Sequence, residues 1–407
     1  MFSNPPQSLT VEWLAQLLAF ESVSSVSNEA ISDYVAEHLQ QRGFGLERHT
    51  YLDPKGVVKH NLIARRDPPV ASGSKNGRHI AESSVSSSQG RGLAYFSHTD
   101  VVPAANWTGP GGQPFQPVLQ DARIYGRGAC DMKGSLACFL AAIERCDHQA
   151  QTSPLWVVCT ADEEVGLQGA RRMTQSSCWY RQLAEHDPIA VIGEPTRLQV
   201  VHAHKGIVGL KIHSRGRAAH SSTNGGINAN EAMVPMLQKL LELNERCRTD
   251  SSLQDQRFDP PTLTWNFGVS DHATASNIVP DHSVAWVMFR PMPGIDGAEL
   301  VQEIRDEATR LELELVVQEG CPPLETPANA ACIQEFCQLV APYIEENEPK
   351  TVCYASDGAV LTDLSRRVVC GPGDITQAHT SHEYLELEQI ERGTQVYADA
   401  IRHWCGG

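Results

Sequence analysis

The chain has 407 residues, 41% hydrophobic and 20% charged, the balance of a soluble globular protein of two or three domains at about 150 residues each. Its formal net charge of −16 argues against a broad phosphate-binding surface, which needs clustered Lys and Arg, so no nucleic-acid partner is expected. No apolar run approaches the ~18 residues of a bilayer span, so no membrane partner is expected. Twelve cysteines without a Cys-x-x-Cys pair, and an opening MFSNPPQSLT with no basic segment leading into an apolar stretch, fit reduced thiols in a cytoplasm.

Leu9, Leu14, Leu17 and Leu18 fall at helical spacing. A second helix is expected to open near Asn28 as N-cap, with Ile31, Tyr34, Val35 and Leu39 on one face and Gly43 at its end. Apolar runs at Asn61–Ala64, Leu93–Phe96, Leu155–Cys159 and Ile189–Ile192 predict strands buried on both faces of a mostly parallel sheet, hence an α/β domain. Leu136 to Ile143 reads as part of a core helix. Residues 67–91, rich in Ser, Gly and Pro, read as a flexible surface insertion. After Pro195 the pattern changes. Val208–His213 and Thr262–Phe267 alternate apolar and polar, Val284–Phe289 is more mixed, and Leu311–Val317 is a further strand; helices are expected at Ala229–Leu243 and Ala298–Arg310. This predicts a small α+β module with an antiparallel sheet, over 199–319, inserted between 1–198 and 320–407 of a larger domain.

Metal-capable side chains cluster at strand ends, where an open α/β sheet places its site. His98 and Asp100 follow Leu93–Phe96 and point to one side of an extended chain, so the carboxylate can orient the imidazole; a plain turn is the other reading. Gly126 to Gly134 holds one acid, Asp131, and lacks the Gly-Lys-Ser/Thr ending of a phosphate loop. Its Cys130 reads as a small packing residue, with thiol hydrolysis as an alternative. Asp162, Glu163 and Glu164 end the run at Leu155–Cys159. If enclosed, adjacent carboxylates repel unless a cation neutralises them or one is protonated; if exposed, they are a solvated turn. Glu194 follows Ile189–Ile192, and His379 and His382 lie in a distant glycine-rich run, Gly371 to Glu383. Together the set offers mixed nitrogen and oxygen ligation, which suits zinc and admits cobalt or manganese.

The ordered segments SHTDVVPA, GRGACDMKG, TADEEVG, GEPT and QAHTSHEYL resemble the di-zinc amidohydrolase and exopeptidase family of acetylornithine deacetylase, succinyl-diaminopimelate desuccinylase and aminoacylase, from about residue 9 to residue 400. The resemblance implies a catalytic α/β domain interrupted by a lid that dimerises. It also implies His98 and Glu194 on one metal, Glu164 and His379 on the other, and Asp131 shared by both. Asp100 would orient His98, and Glu163 would be the general base and acid. In RGRAAHSS, His220 would stabilise the oxyanion of a neighbouring subunit, and Asn277 and Arg290 would hold the substrate carboxylate. The implied reaction is hydrolysis of an N-acyl amino acid. N-acetyl-L-ornithine is the leading substrate, acetylcitrulline or succinyl-diaminopimelate the alternatives, and a catalytically inactive zinc-stabilised interaction protein the reading from another class. Two departures bear on substrate: His382 stands where the deacetylases commonly have an acid, and Ser356-Asp357-Gly358 partly resembles the desuccinylases, which makes Asp357 a candidate reader of the side chain.

Overall fold

A computed structural model describes residues 8–69, 91–271 and 275–406; most of the expected insertion, 70–90, lies outside them. The chain forms two units. The first runs to His202 and resumes over Thr326–Lys350 and from Ser356 onward; the second is Ala203–Glu325 with Thr351–Ala355. The interruption thus starts and ends a few residues later than 199–319. Leu324 pairs with His204, and the Lys205 amide donates to the Val352 carbonyl, which draws residues 351–355 into the second unit.

The first unit begins with α1 (Leu9–Leu18), capped by the Ser8 side chain and burying Val11, Trp13, Leu14, Leu17 and Leu18. In α2 (Glu29–Gln40) Ile31, Val35 and Leu39 are buried, but Asn28 makes no side-chain cap. Its amide instead exchanges hydrogen bonds with the main chain of His60 (2.8 and 2.9 Å) and donates to Thr99 Oγ1, stitching distant segments together. The strands that follow are β1 (Gly45–Leu52), β2 (Val58–Arg66), β3 (Leu93–His98), and the short β4 (Val118–Gln120) and β5 (Arg123–Tyr125). Next come α3 (Lys133–Glu144), β6 (Leu155–Thr160), α4 (Gln168–Ser176), α5 (Cys178–His186), β7 (Ile189–Ile192) and β8 (Val201–His204).

The second unit contributes β9 (Ile207–Arg215), α6 (Ala229–Thr249), β10 (Trp265–Ser270), β11 (His282–Phe289), α7 (Ala298–Arg310), β12 (Glu314–Cys321) and β13 (Leu324–Glu325). The chain ends with α8 (Ala331–Val340), β14 (Lys350–Val352), β15 (Arg367–Val369), β16 (Tyr384–Glu386) and α9 (Leu387–Cys405).

The large sheet runs β1-β2-β6-β3-β7-β15. Strand β3 is parallel to β6 and β7, and β15 is parallel to β7, whereas β2 is antiparallel to both β1 and β6. The apolar run at Asn61–Ala64 therefore belongs to an antiparallel strand. Burial on both faces, which that run reports, does not encode direction. Strand β1 escapes sequence periodicity because its polar, half-exposed side chains lie at the sheet edge. Helix α3 is buried on every side from Lys133 to Ile143. Phe139 stacks on Tyr95 at a centroid distance of 4.0 Å, and Tyr397 of α9 meets both rings edge-on.

The second unit is the expected antiparallel sheet, β10-β11-β9-β12, with α6 and α7 packed through Met236, Leu240, Ile304, Leu210, Ile212 and Val287. Strand β12 begins at Glu314 rather than Leu311 because α7 ends there and the chain turns through Glu312 at φ +54°. Strand β10, Trp265–Ser270, lies three residues later than the expected Thr262–Phe267. Among the described residues no helix is long and apolar enough to cross a membrane.

Candidate metal centre

Because β3, β6, β7 and β15 point the same way, the loops after them gather at one edge of the sheet. His98 is the last residue of β3, and both its ring and Asp100 are buried. The ring is oriented by Asp100 mainly through the main chain. His98 Nδ1 lies 2.9 Å from the Asp100 carbonyl and 3.8 Å from its carboxylate. That carboxylate instead accepts from Ser24 Oγ (2.7 Å) and the amides of Glu163 (3.1 Å) and Glu164 (3.3 Å), fastening the turn after β6 to the end of β3.

The three acids of that turn have separate fates. Asp162, at φ +54°, is buried in an ion pair with Lys59 Nζ (2.8 Å) and accepts from Tyr51 Oη (2.9 Å). Lys59 also donates to the carbonyls of Ser24 and Val26, both at 2.7 Å. With Asp162 committed, Glu163 and Glu164 remain for chemistry. Beneath them Thr160 Oγ1 donates to Asp357 (2.5 Å), which is itself buried.

His98, Asp131 and Glu164 each offer a ligand atom, and these atoms lie within 4.8 Å of one another. Asp131 Oδ1 is 3.0 Å from His98 Nε2 and its Oδ2 is 3.3 Å from His379 Nε2, so one carboxylate stands between two imidazoles. His379 Nε2 also lies 3.0 Å from Glu164, while its ring stays 55% exposed. His382 is exposed and is not among the groups that meet Asp131 or Glu164. Glu194, buried after β7, raises the Asp131, His98 and Glu163 surroundings in negative charge. Gly193 beside it allows close packing, since a Cβ there would lie 2.3 Å from Ser135 Oγ and 2.5 Å from Tyr95 Oη.

The electrostatics report a site short of positive charge. Burial pushes the carboxyls of Glu163, Glu164 and Glu194 up, and neighbouring carboxylates push them further. Burial would lower His98, but its bond to Asp131 and the surrounding acids hold it well above the usual imidazole range. His379 is raised to about 10 by its contacts with Asp131 and Glu164. Asp131 is lowered: burial opposes ionisation, and the two imidazoles prevail. Divalent cations fit a donor set that draws protons onto two histidines to balance its acids.

Burial raises the Cys130 thiol well above its ordinary value, with the acids Glu383 and Asp131 adding to the effect, and its Sγ donates to the Asp374 carbonyl (3.2 Å). It is held as a protonated packing group, against the thiol-hydrolysis alternative. Three residues of the expected site lie in the second unit. His220 is exposed, with Nδ1 2.7 Å from Ser222 Oγ, and Asn277 is its exposed neighbour, accepting from the Ser221 amide. Arg290, half-buried, follows β11.

The sequence model of Peptidase family M20/M25/M40 matches residues 94–403. The chain is 34% identical over 400 residues to an acetylornithine deacetylase of Myxococcus xanthus, across 97% of each protein. It is 29% identical over 412 residues to an acetylornithine deacetylase of Proteus mirabilis strain HI4320, across 97% of this chain and 96% of that one. In fold it is similar to an M20 family metallo-carboxypeptidase of Sulfolobus solfataricus, with a TM-score of 0.70, 15% identity, and coverage of 98% and 99%.

Proposed function

The chain is an amidohydrolase belonging to peptidase family M20/M25/M40, and from that premise we propose that it removes the acetyl group from N-acetyl-L-ornithine, giving acetate and L-ornithine for arginine biosynthesis. The observation that carries the chemistry is the Asp131 carboxylate set between His98 and His379, with Glu164 in reach and Glu163 next in the chain. The substrate rests on the two full-length relatives that carry the name acetylornithine deacetylase.

His98 and Glu194 would hold one zinc ion, Glu164 and His379 the other, and Asp131 both, with cobalt or manganese as substitutes. Bound there, two divalent ions polarise the amide carbonyl and bring the pKa of a water from 15.7 toward ~7. Glu163 takes the proton of the attacking water on its carboxylate and returns it to the departing amine nitrogen; its burial, which raises the carboxyl, suits a group that must both accept and release a proton. Asn277 and Arg290 would hold the substrate carboxylate. The protein would act as a homodimer through the second unit, with His220 donating to the oxyanion in the partner subunit's site. The twelve cysteines are all free thiols, which supports a reducing cytoplasm.

The test is turnover of N-acetyl-L-ornithine, acetylcitrulline and succinyl-diaminopimelate by the same preparation. We expect the highest kcat/KM on N-acetyl-L-ornithine, loss of turnover on chelation and recovery with zinc. Activity on none of the three removes the substrate reading, and full activity after exhaustive chelation removes the metal.

A further inference from the structure

Glu383 lies four residues past His379 and is buried, with its side chain 1% exposed. A lone buried carboxylate is costly unless donors surround it, and here they do. The loop Gly126 to Asp131, turning through Gly128 at φ +87°, aims three amides at it. Gly128 donates to Oε2 (2.9 Å), and Cys130 (2.8 Å) and Asp131 (3.0 Å) donate to Oε1. The Arg127 guanidinium adds a charge-assisted bond to Oε2 at 2.7 Å. These four donors fill the roughly four lone-pair sites of a carboxylate, so Glu383 has no capacity left for a metal or a substrate proton.

The same cluster binds the loop that carries His379. Arg127 Nη2 donates to the Thr380 carbonyl (3.0 Å), the Gly126 amide donates to the Glu383 carbonyl (3.2 Å), and the Thr108 amide donates to the Ser381 carbonyl (2.6 Å). Two loops far apart in sequence, one presenting Asp131 and the other His379, are thus clamped by one side chain. From this we infer that Glu383 is the positioning residue of the metal centre: it sets the peptide of Asp131 directly, and the His379 loop through Arg127, without touching metal or substrate.

This inference rests on the metal centre proposed above. Its test is a Co2+ titration of the metal-depleted full chain against a competing chelator, with the visible Co2+ spectrum recorded and folding followed by circular dichroism. Glu383→Gln should turn one donor amide toward the loop amides and loosen Asp131. The expected result is native circular dichroism, Co2+ binding weakened by about 10 to 100-fold, the range for lost outer partners of a metal site, and a shifted visible band. Glu383→Asp, with the charge kept but the reach shortened, should fall between it and the parent chain. A folded Glu383→Gln protein with the parent's affinity and spectrum overturns the inference. If that variant does not fold, the same measurement on Glu383→Asp decides it, parent-like affinity overturning and weakened affinity supporting. A parent chain that binds no Co2+ instead removes the metal centre, and this inference with it.

Discussion

The strand-end loops of the first unit and the His220 region of the second meet opposite demands. Around Asp131 three acids are buried and braced by groups from distant segments: Asp100 by Ser24 and the Glu163 and Glu164 amides, Asp162 by Lys59 and Tyr51, and Asp131 by His98 and His379 at its carboxylate and by Glu383 at its amide. His220 and Asn277 are exposed, and the described partners of His220 come from its own loop and from the bridge to Ile278. A buried carboxylate cannot tolerate a missing partner, whereas an exposed imidazole can wait for one. Bracing from distant segments in one region and exposed side chains with local partners in the other are what a preformed ion site and a group awaiting substrate or a second subunit would each require.

That contrast can be broken or sharpened by substitution. The largest effect is expected from Glu163→Gln. Activity on N-acetyl-L-ornithine should fall by about 10²–10⁴-fold, the range for a lost general acid-base group, while metal content measured by elemental analysis stays at the parent level. Retained activity would make Glu163 one more bracing acid, and a chain inactive from the start would favour the zinc-stabilised interaction protein. Next is Lys59→Met, which leaves Asp162 buried without its cation. Chemical denaturation should show a loss of roughly 3–5 kcal/mol, and adding Asp162→Asn should recover part of it. A loss within 0.5 kcal/mol would show that the turn after β6 holds without this pair. The mildest is His220→Ala, for which we expect kcat to fall by about 10²–10³-fold with thermal stability and metal content unchanged, as for removal of an oxyanion donor. Unchanged kcat would return His220 to an ordinary surface histidine.

Much of this arrangement could be read along the chain. His98, Asp131, Glu164, Glu194 and His379 each stand next to an apolar strand or a glycine-rich run, which marks them as candidates, and the family resemblance of those segments implies their roles as ligands. Glu383 lies in QAHTSHEYL with no periodicity to mark it, and its importance comes from amides more than 250 residues away. Asn28 looked like a helix cap and became a bridge between β2 and Thr99. The resemblance leaves Asp162 without a role, and the partner that gives it a structural one, Lys59, lies on the distant strand β2.

By itself the sequence determined the alternation of elements, the second antiparallel sheet and the order of the acid and imidazole segments, because hydrophobic period and residue type act over a few positions. The direction of β2, the burial of Asp162 against Lys59, the role of Asn28 as a bridge and the clamp at Glu383 were decided only by the folded chain. Each depends on distances between residues remote in sequence, and on where burial leaves a charge with or without a partner.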